Sequence, residues 1–153
     1  MDENEVKNET LKHIKKVAYF LNKVTNELIL RRRKHDQSKF SDEELPIFIE
    51  FTPKLRETTY GSDEYKEFLS KMKPALDHHY ANNRHHPEYF ESTISNMNLI
   101  DIIEMLCDWI AATERNEDGD IMKSIEINQK RFGYSDELKN IFINTVKFLK
   151  EKR

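Results

Sequence analysis

Apolar residues recur at helical spacing along most of this chain, and very little in it lets the backbone turn sharply. Between Val6 and Lys34, Leu11, Ile14, Val17, Ala18, Leu21, Val24 and Leu28 form one stripe at the period of an α-helix. Only 3 of 153 residues are glycine, and the Glu/Lys/Leu/Ile-rich remainder favours helices over sheets, which need more turns. No segment alternates apolar and polar residues as a half-buried strand does. The expectation is an all-α chain: one domain over residues 1–153, a bundle of about six helices.

Local signals place the helix ends. The first helix closes on "RRRK", which suits the negative end of a helix dipole. Ser41 with Glu44 three residues later reads as a capping box opening the second helix, with Pro46 tolerated in its first turns. "TTYGSDEY" is a turn, and a third helix is expected from about Asp63 to Tyr80, with Pro74 as a point of bending. A fourth spans about Asn98 to Arg115 and carries Leu99, Ile102, Ile103, Leu106, Trp109 and Ile110. Past the loop "NEDGD", a fifth runs from about Ile121 to Arg131 and ends at Gly133; Ser135 caps a last one through Phe142, Val146 and Leu149.

Charge and cysteine content narrow the function. A net charge of −3 provides no global basic field, so nucleic acid is not the default partner. The single cysteine, Cys107, can form neither an internal disulfide nor a cysteine-rich zinc site. No stretch approaches a membrane span, and "MDENEVKNET" is acidic where a signal peptide is basic and then apolar, so a cytoplasmic protein is expected.

Polar residues then appear where apolar ones are expected. "LDHHYANNRHHPEYF" (76–90) holds four of six histidines: His78, His79, His85 and His86. His13 lies beside the stripe of the first helix, and His35 is followed directly by Asp36. On the fourth helix Asp101, Glu104 and Asp108 fall on one line of an otherwise apolar helix. Each feature alone has an ordinary reading: a half-buried histidine, a chance His-Asp pair, a solvated acidic face, a protonatable surface patch. Their joint order along the chain is what argues for a site, because borderline divalent metals take imidazole and carboxylate together.

That order resembles the HD-domain superfamily of metal-dependent phosphohydrolases. A closer similarity is to a small family of HD-like proteins from bacteria and their phages, which shares "HDxSKF", "HHYxxNxHHPEYF" and "EMxxDWxA". Here these read "HDQSKF" (35–40), "HHYANNRHHPEYF" (78–90) and "EMLCDWIAA" (104–112). The match covers about His13 to Ala112, and the C-terminal third offers no usable motif. The resemblance implies two divalent transition-metal ions per chain, of the Mn, Fe, Zn, Ni or Co kind. His13, His35, Asp36 and Asp108 would hold the first, and Asp36 would bridge to a second held by His79 with His85, His86 or both. His79 is preferred to His78 because it continues the stripe of Phe68, Met72, Ala75 and Leu76, whereas His78 points about 100° away. Lys39, three residues after Asp36 as in the "HDIGK" members, is implied to reach a substrate phosphate. Two departures stand out: His79 and His85/His86 are only six or seven residues apart, and no "GYP" motif of the cyclic-di-GMP branch is present.

The function implied is hydrolysis of a phosphomonoester or phosphodiester, with a nucleotide as the expected substrate, by a metal-activated water. Asp36, Lys39 and Glu104 would serve catalysis, Glu104 by orienting water or a ligating histidine or by moving a proton. Arg84 and Asn83 are further candidates for phosphate contact. The partner expected is thus a small anionic, phosphate-containing molecule. Two alternatives share the ligand order: an HD-type di-iron oxygenase, since such ligands suit iron as well, and a non-catalytic metal- or nucleotide-binding protein.

Overall fold

The computed structural model describes residues 2–58, 62–115 and 119–151. Among these there are six α-helices and no strand: α1 Glu3–Lys34, α2 Leu45–Glu57, α3 Asp63–Asn82, α4 Leu99–Thr113, α5 Ile121–Phe132 and α6 Asp136–Glu151. Short 3₁₀ turns at Gln37–Phe40 and Pro87–Phe90 carry the chain into α2 and away from α3. The expected turn "TTYGSDEY" and loop "NEDGD" fall partly outside the described residues. No helix among the described residues is long and apolar enough to cross a membrane.

Most helix boundaries follow from caps already visible in the sequence. Asp2 and Glu5 form a reciprocal capping box at the start of α1, and Ser62 Oγ accepts from the Tyr65 amide at the start of α3. Asn98 and Asp101 make the same reciprocal box for α4, Asp120 caps α5, and Ser135 Oγ accepts from the Leu138 amide of α6. Gly133 ends α5 at φ 68, a left-handed conformation that glycine adopts without steric cost. One expected cap does not form. Ser41 and Glu44 make no capping box for α2, because the Glu44 side chain turns inward and is wholly buried.

The chain divides into two compact units, Met1–His35 and Asp36–Arg153. The first is α1. None of its 32 residues is buried, so it has no core of its own. The stripe read from the sequence is a genuine helix face, but it lies open: Leu11 is 52% exposed, Ile14 54% and Leu21 60%. The core belongs to the second unit. There Met105 and Leu106 of α4, Ile121 and Ile125 of α5, and Phe142 and Val146 of α6 pack with Ile94, Met97 and Tyr134. Trp109 stacks on Phe132 with the rings 7° from parallel and meets Phe142 edge-on. The last two helices are therefore structural packing for α4, the helix that carries the acidic line. A second contact joins α2 to α3, with Phe51 against Phe68 and with Met72 and Ala75 of α3 buried.

Phe142 is 1% exposed at the centre of the larger cluster. Phe142→Ala removes its area and leaves a cavity, so urea unfolding is expected to show a loss of about 3–5 kcal/mol.

Candidate metal centre

Asp36 begins the second unit in an unusual backbone state. Its φ is 56, a left-handed conformation that costs most residues free energy and that aspartate tolerates better than most. From there the carboxylate meets histidines from two later segments. Asp36 Oδ1 lies 3.4 Å from His79 Nε2 and 3.4 Å from His85 Nε2, and His79 Nε2 lies 2.9 Å from His86 Nε2. One ligand atom from each of Asp36, His79, His85 and His86 falls within 4.8 Å of all the others.

The elements that bring them together are readable one by one. In α3 the buried residues Met72, Ala75 and His79 share one face, so the apolar stripe delivers an imidazole to the interior. His85 and His86 follow in the segment that leaves α3, where the His86 amide donates to the Asn83 carbonyl. Asn83 is buried and fixes this exit, donating to the His79 carbonyl and to Ser38 Oγ. His85 is 1% exposed and His79 2%, so both imidazoles are removed from water.

Each of these two histidines has a glutamate at its other nitrogen, Glu44 buried and Glu104 half-buried. His79 Nδ1–H donates to Glu44 Oε2 at 3.0 Å, while His85 Nδ1 faces Glu104 Oε1 at 3.2 Å. A carboxylate can only accept, so Glu44 fixes the Nδ1–H tautomer of His79 and leaves the Nε2 lone pair pointing toward Asp36. Glu44 has no exposed surface, and its second oxygen accepts from His78 Nδ1 at 2.7 Å. His78, which points off the apolar stripe, thus shares the carboxylate that holds His79.

Glu44 is the residue that sequence reasoning missed. The signal was present, since "SDEE" stands just after "HDQSKF", but S-x-x-E before an apolar run is also what a capping box looks like. The local pattern does not say which way the glutamate faces.

Burial acts on the imidazoles in one direction. Desolvation pushes the His79 pKa down, opposed by the charge of Asp36. His86 is pushed down to about 3, first by burial and then by His85 and His79 beside it, with Asp108 and Asp36 opposing. Neutral imidazoles are what a metal ion requires of its histidine ligands.

The remaining expected residues fall into two groups. Lys39 Nζ pairs with Asp36 Oδ2 at 2.6 Å, with about a third of its side chain exposed, so it stands at the cluster. Asp108 is half-buried and offers a carboxylate oxygen within 4.8 Å of one from Asp36. His35 is the last residue of the first unit and the C-cap of α1, its amide donating to the Arg31 carbonyl. His13 is exposed on α1, and the helix runs unbroken between the two, which separates His13 from His35 by about 33 Å. Arg84 is engaged elsewhere: its guanidinium donates to both oxygens of Asp101, at 3.2 and 3.0 Å, and lies over Phe90. Asp101, wholly buried, is a cap and an ion-pair partner, leaving Glu104 and Asp108 as the acidic line's share of the site.

Two separations in the donor set match ligands of one ion, while His79 Nε2 and His86 Nε2, 2.9 Å apart, stand closer than such ligands do. Ligands about 2.0–2.1 Å from a tetrahedral ion stand about 3.4 Å from one another, which is the separation of Asp36 Oδ1 from both imidazole nitrogens. Residues 2–152 match a family described as a family of unknown function (DUF5662). The chain belongs to that family. No curated protein and no solved structure matches it. Within the family's span, the buried His/Asp cluster is a candidate metal-binding group.

The depressed His86 pKa sets a pH dependence. A group held near 3 when folded and near 6.5 when unfolded takes up a proton on unfolding between those values, so stability falls as pH drops through that window. Thermal unfolding of metal-free protein from pH 7 to pH 4 is expected to show this fall, and His86→Gln is expected to make it shallower.

Proposed function

We propose that this protein is a metal-dependent phosphohydrolase whose ion is held by Asp36, His79, His85 and His86. The observation that carries the reading is the pair of equal 3.4 Å separations from Asp36 Oδ1 to His79 Nε2 and His85 Nε2, with a glutamate behind each imidazole. Carboxylate–histidine pairs of this kind orient and strengthen metal ligands. The phosphoester substrate rests on the resemblance to HD-domain enzymes and on the position of Lys39.

The bound ion would supply Lewis acidity, lowering the pKa of a coordinated water and neutralising a phosphoryl oxygen. The chain's own residues do the rest. Glu44 holds His79 with Nε2 turned inward, and Glu104 stands against Nδ1 of His85. Lys39, now paired with Asp36, is a partly exposed cation that can transfer its donors to the non-bridging oxygens of a phosphate. Asp108 provides a further carboxylate at the edge of the cluster. That the phosphoester is a nucleotide rests on the resemblance. The ion in this reading is the one the resemblance assigns to the later histidines; the companion it assigns to His13, His35, Asp36 and Asp108 is no part of this proposal.

Metal analysis of protein purified without a histidine tag is expected to give about one transition-metal ion per chain or more, lost in Asp36→Ala and His79→Ala. Glu44→Gln keeps the ligands and is expected to weaken metal affinity about 10–100-fold. A panel of phosphomonoesters, phosphodiesters and nucleotides should reveal turnover that Lys39→Ala lowers at least about tenfold while metal content holds. Protein without bound metal after incubation with Mn, Fe and Zn would overturn the site, and full metal with no phosphoester turnover would overturn the activity.

A further inference from the structure

Helix α1 carries a large apolar face, none of whose residues is buried, and the pattern of that face is its own complement. Leu11, Ile14, Ala18, Leu21, Thr25 and Leu28 follow a strict three–four spacing, the seam of a two-helix coiled coil. Leu11, Ile14 and Leu21 are each more than half exposed. A helix of 32 residues is about 48 Å long, and its amphipathic face normally supplies most of a helix's stability by packing.

The six positions map onto themselves when the helix is turned end for end. Placing Leu11 opposite Leu28 also sets Ile14 opposite Thr25 and Ala18 opposite Leu21, so each layer pairs a larger side chain with an equal or smaller one. The same operation brings Glu5 level with Lys34. The charges of the helix are arranged for that direction only. Residues 2–9 hold Asp2, Glu3, Glu5 and Glu9 against one lysine, and the last turn is Arg31, Arg32, Arg33 and Lys34. Antiparallel pairing sets acidic end against basic end and opposes the two helix dipoles, while parallel pairing stacks four cations on four. A patch that is complementary to itself under a two-fold rotation is the signature of an isologous interface.

We infer that α1 is a dimerisation element, pairing antiparallel with α1 of a second copy of this chain about a two-fold axis near Tyr19 and Phe20. This pairing is independent of the metal centre. An unrelated protein with an apolar groove would need neither the end-for-end symmetry of the seam nor the charge reversal along it.

Sedimentation of the full-length chain across a concentration series tests this. The expected species has twice the 18.4 kDa chain mass. Leu21→Glu, on an exposed position where the helix itself is not disturbed, is expected to raise the dimer dissociation constant at least about tenfold, with helical content by circular dichroism held. Arg32→Glu with Arg33→Glu should weaken the dimer, and adding Glu3→Lys with Glu5→Lys should restore it. Direction is read by mixing Leu11→Cys and Leu28→Cys variants, each in a Cys107→Ser background. Disulfides joining one variant to the other are expected. A chain that stays monomeric, a dimer unaffected by Leu21→Glu, or cross-links only between identical variants would each overturn the proposal.

Discussion

A carboxylate with no exposed surface is tolerated only when its charge and both of its oxygens are satisfied, and in this protein Glu44 meets that condition through two neighbouring imidazoles. The rest of the centre depends on it. Holding the Nδ1–H of His79 forces the other ring nitrogen toward Asp36, which in turn lies at the same distance from His85. Removing Glu44 would leave His79 free to take the other tautomer. It would also leave a buried polar surface between α2 and α3.

A second support holds the centre from the opposite side. Asp101 closes the capping box of α4 and accepts both donors of Arg84, which ties the histidine-bearing segment to the first turn of that helix. One turn further along, Glu104 meets His85. The aromatic packing of Trp109 with Phe132 and Phe142 then fixes α4 against α5 and α6. The C-terminal helices contribute no ligand among the described residues, yet they set where Glu104 and Asp108 stand.

Reading from the sequence succeeded where the physics is local. Helix type and most helix ends follow from periodicity and caps, whose hydrogen bonds span three or four residues. Asp120, Ser135 and Gly133 act where their residue types predict. The inward turn of His79 was visible too, because Met72, Ala75 and His79 repeat at helical spacing. Glu44 failed the same treatment: its partners are 34 and 35 residues away, and a three-residue capping pattern explained it equally well. Arg84 looked available to a phosphate until its partner, 17 residues on, was in place.

By itself, then, the order of residues determined an all-helical chain, the face each helix offers for burial, and a set of histidines and carboxylates suited to a metal ion. Those follow from bond geometry and side-chain chemistry that act within a few residues. Only the tertiary structure decided which of those groups meet. Asp36, His79, His85 and His86 converge because a left-handed residue, the end of α3 and the segment after it are held together by buried hydrogen bonds. Whether a charged side chain turns inward depends on a partner waiting there, since burial without one costs more than any local preference returns. For Glu44 that partner is His79, with His78 beside it.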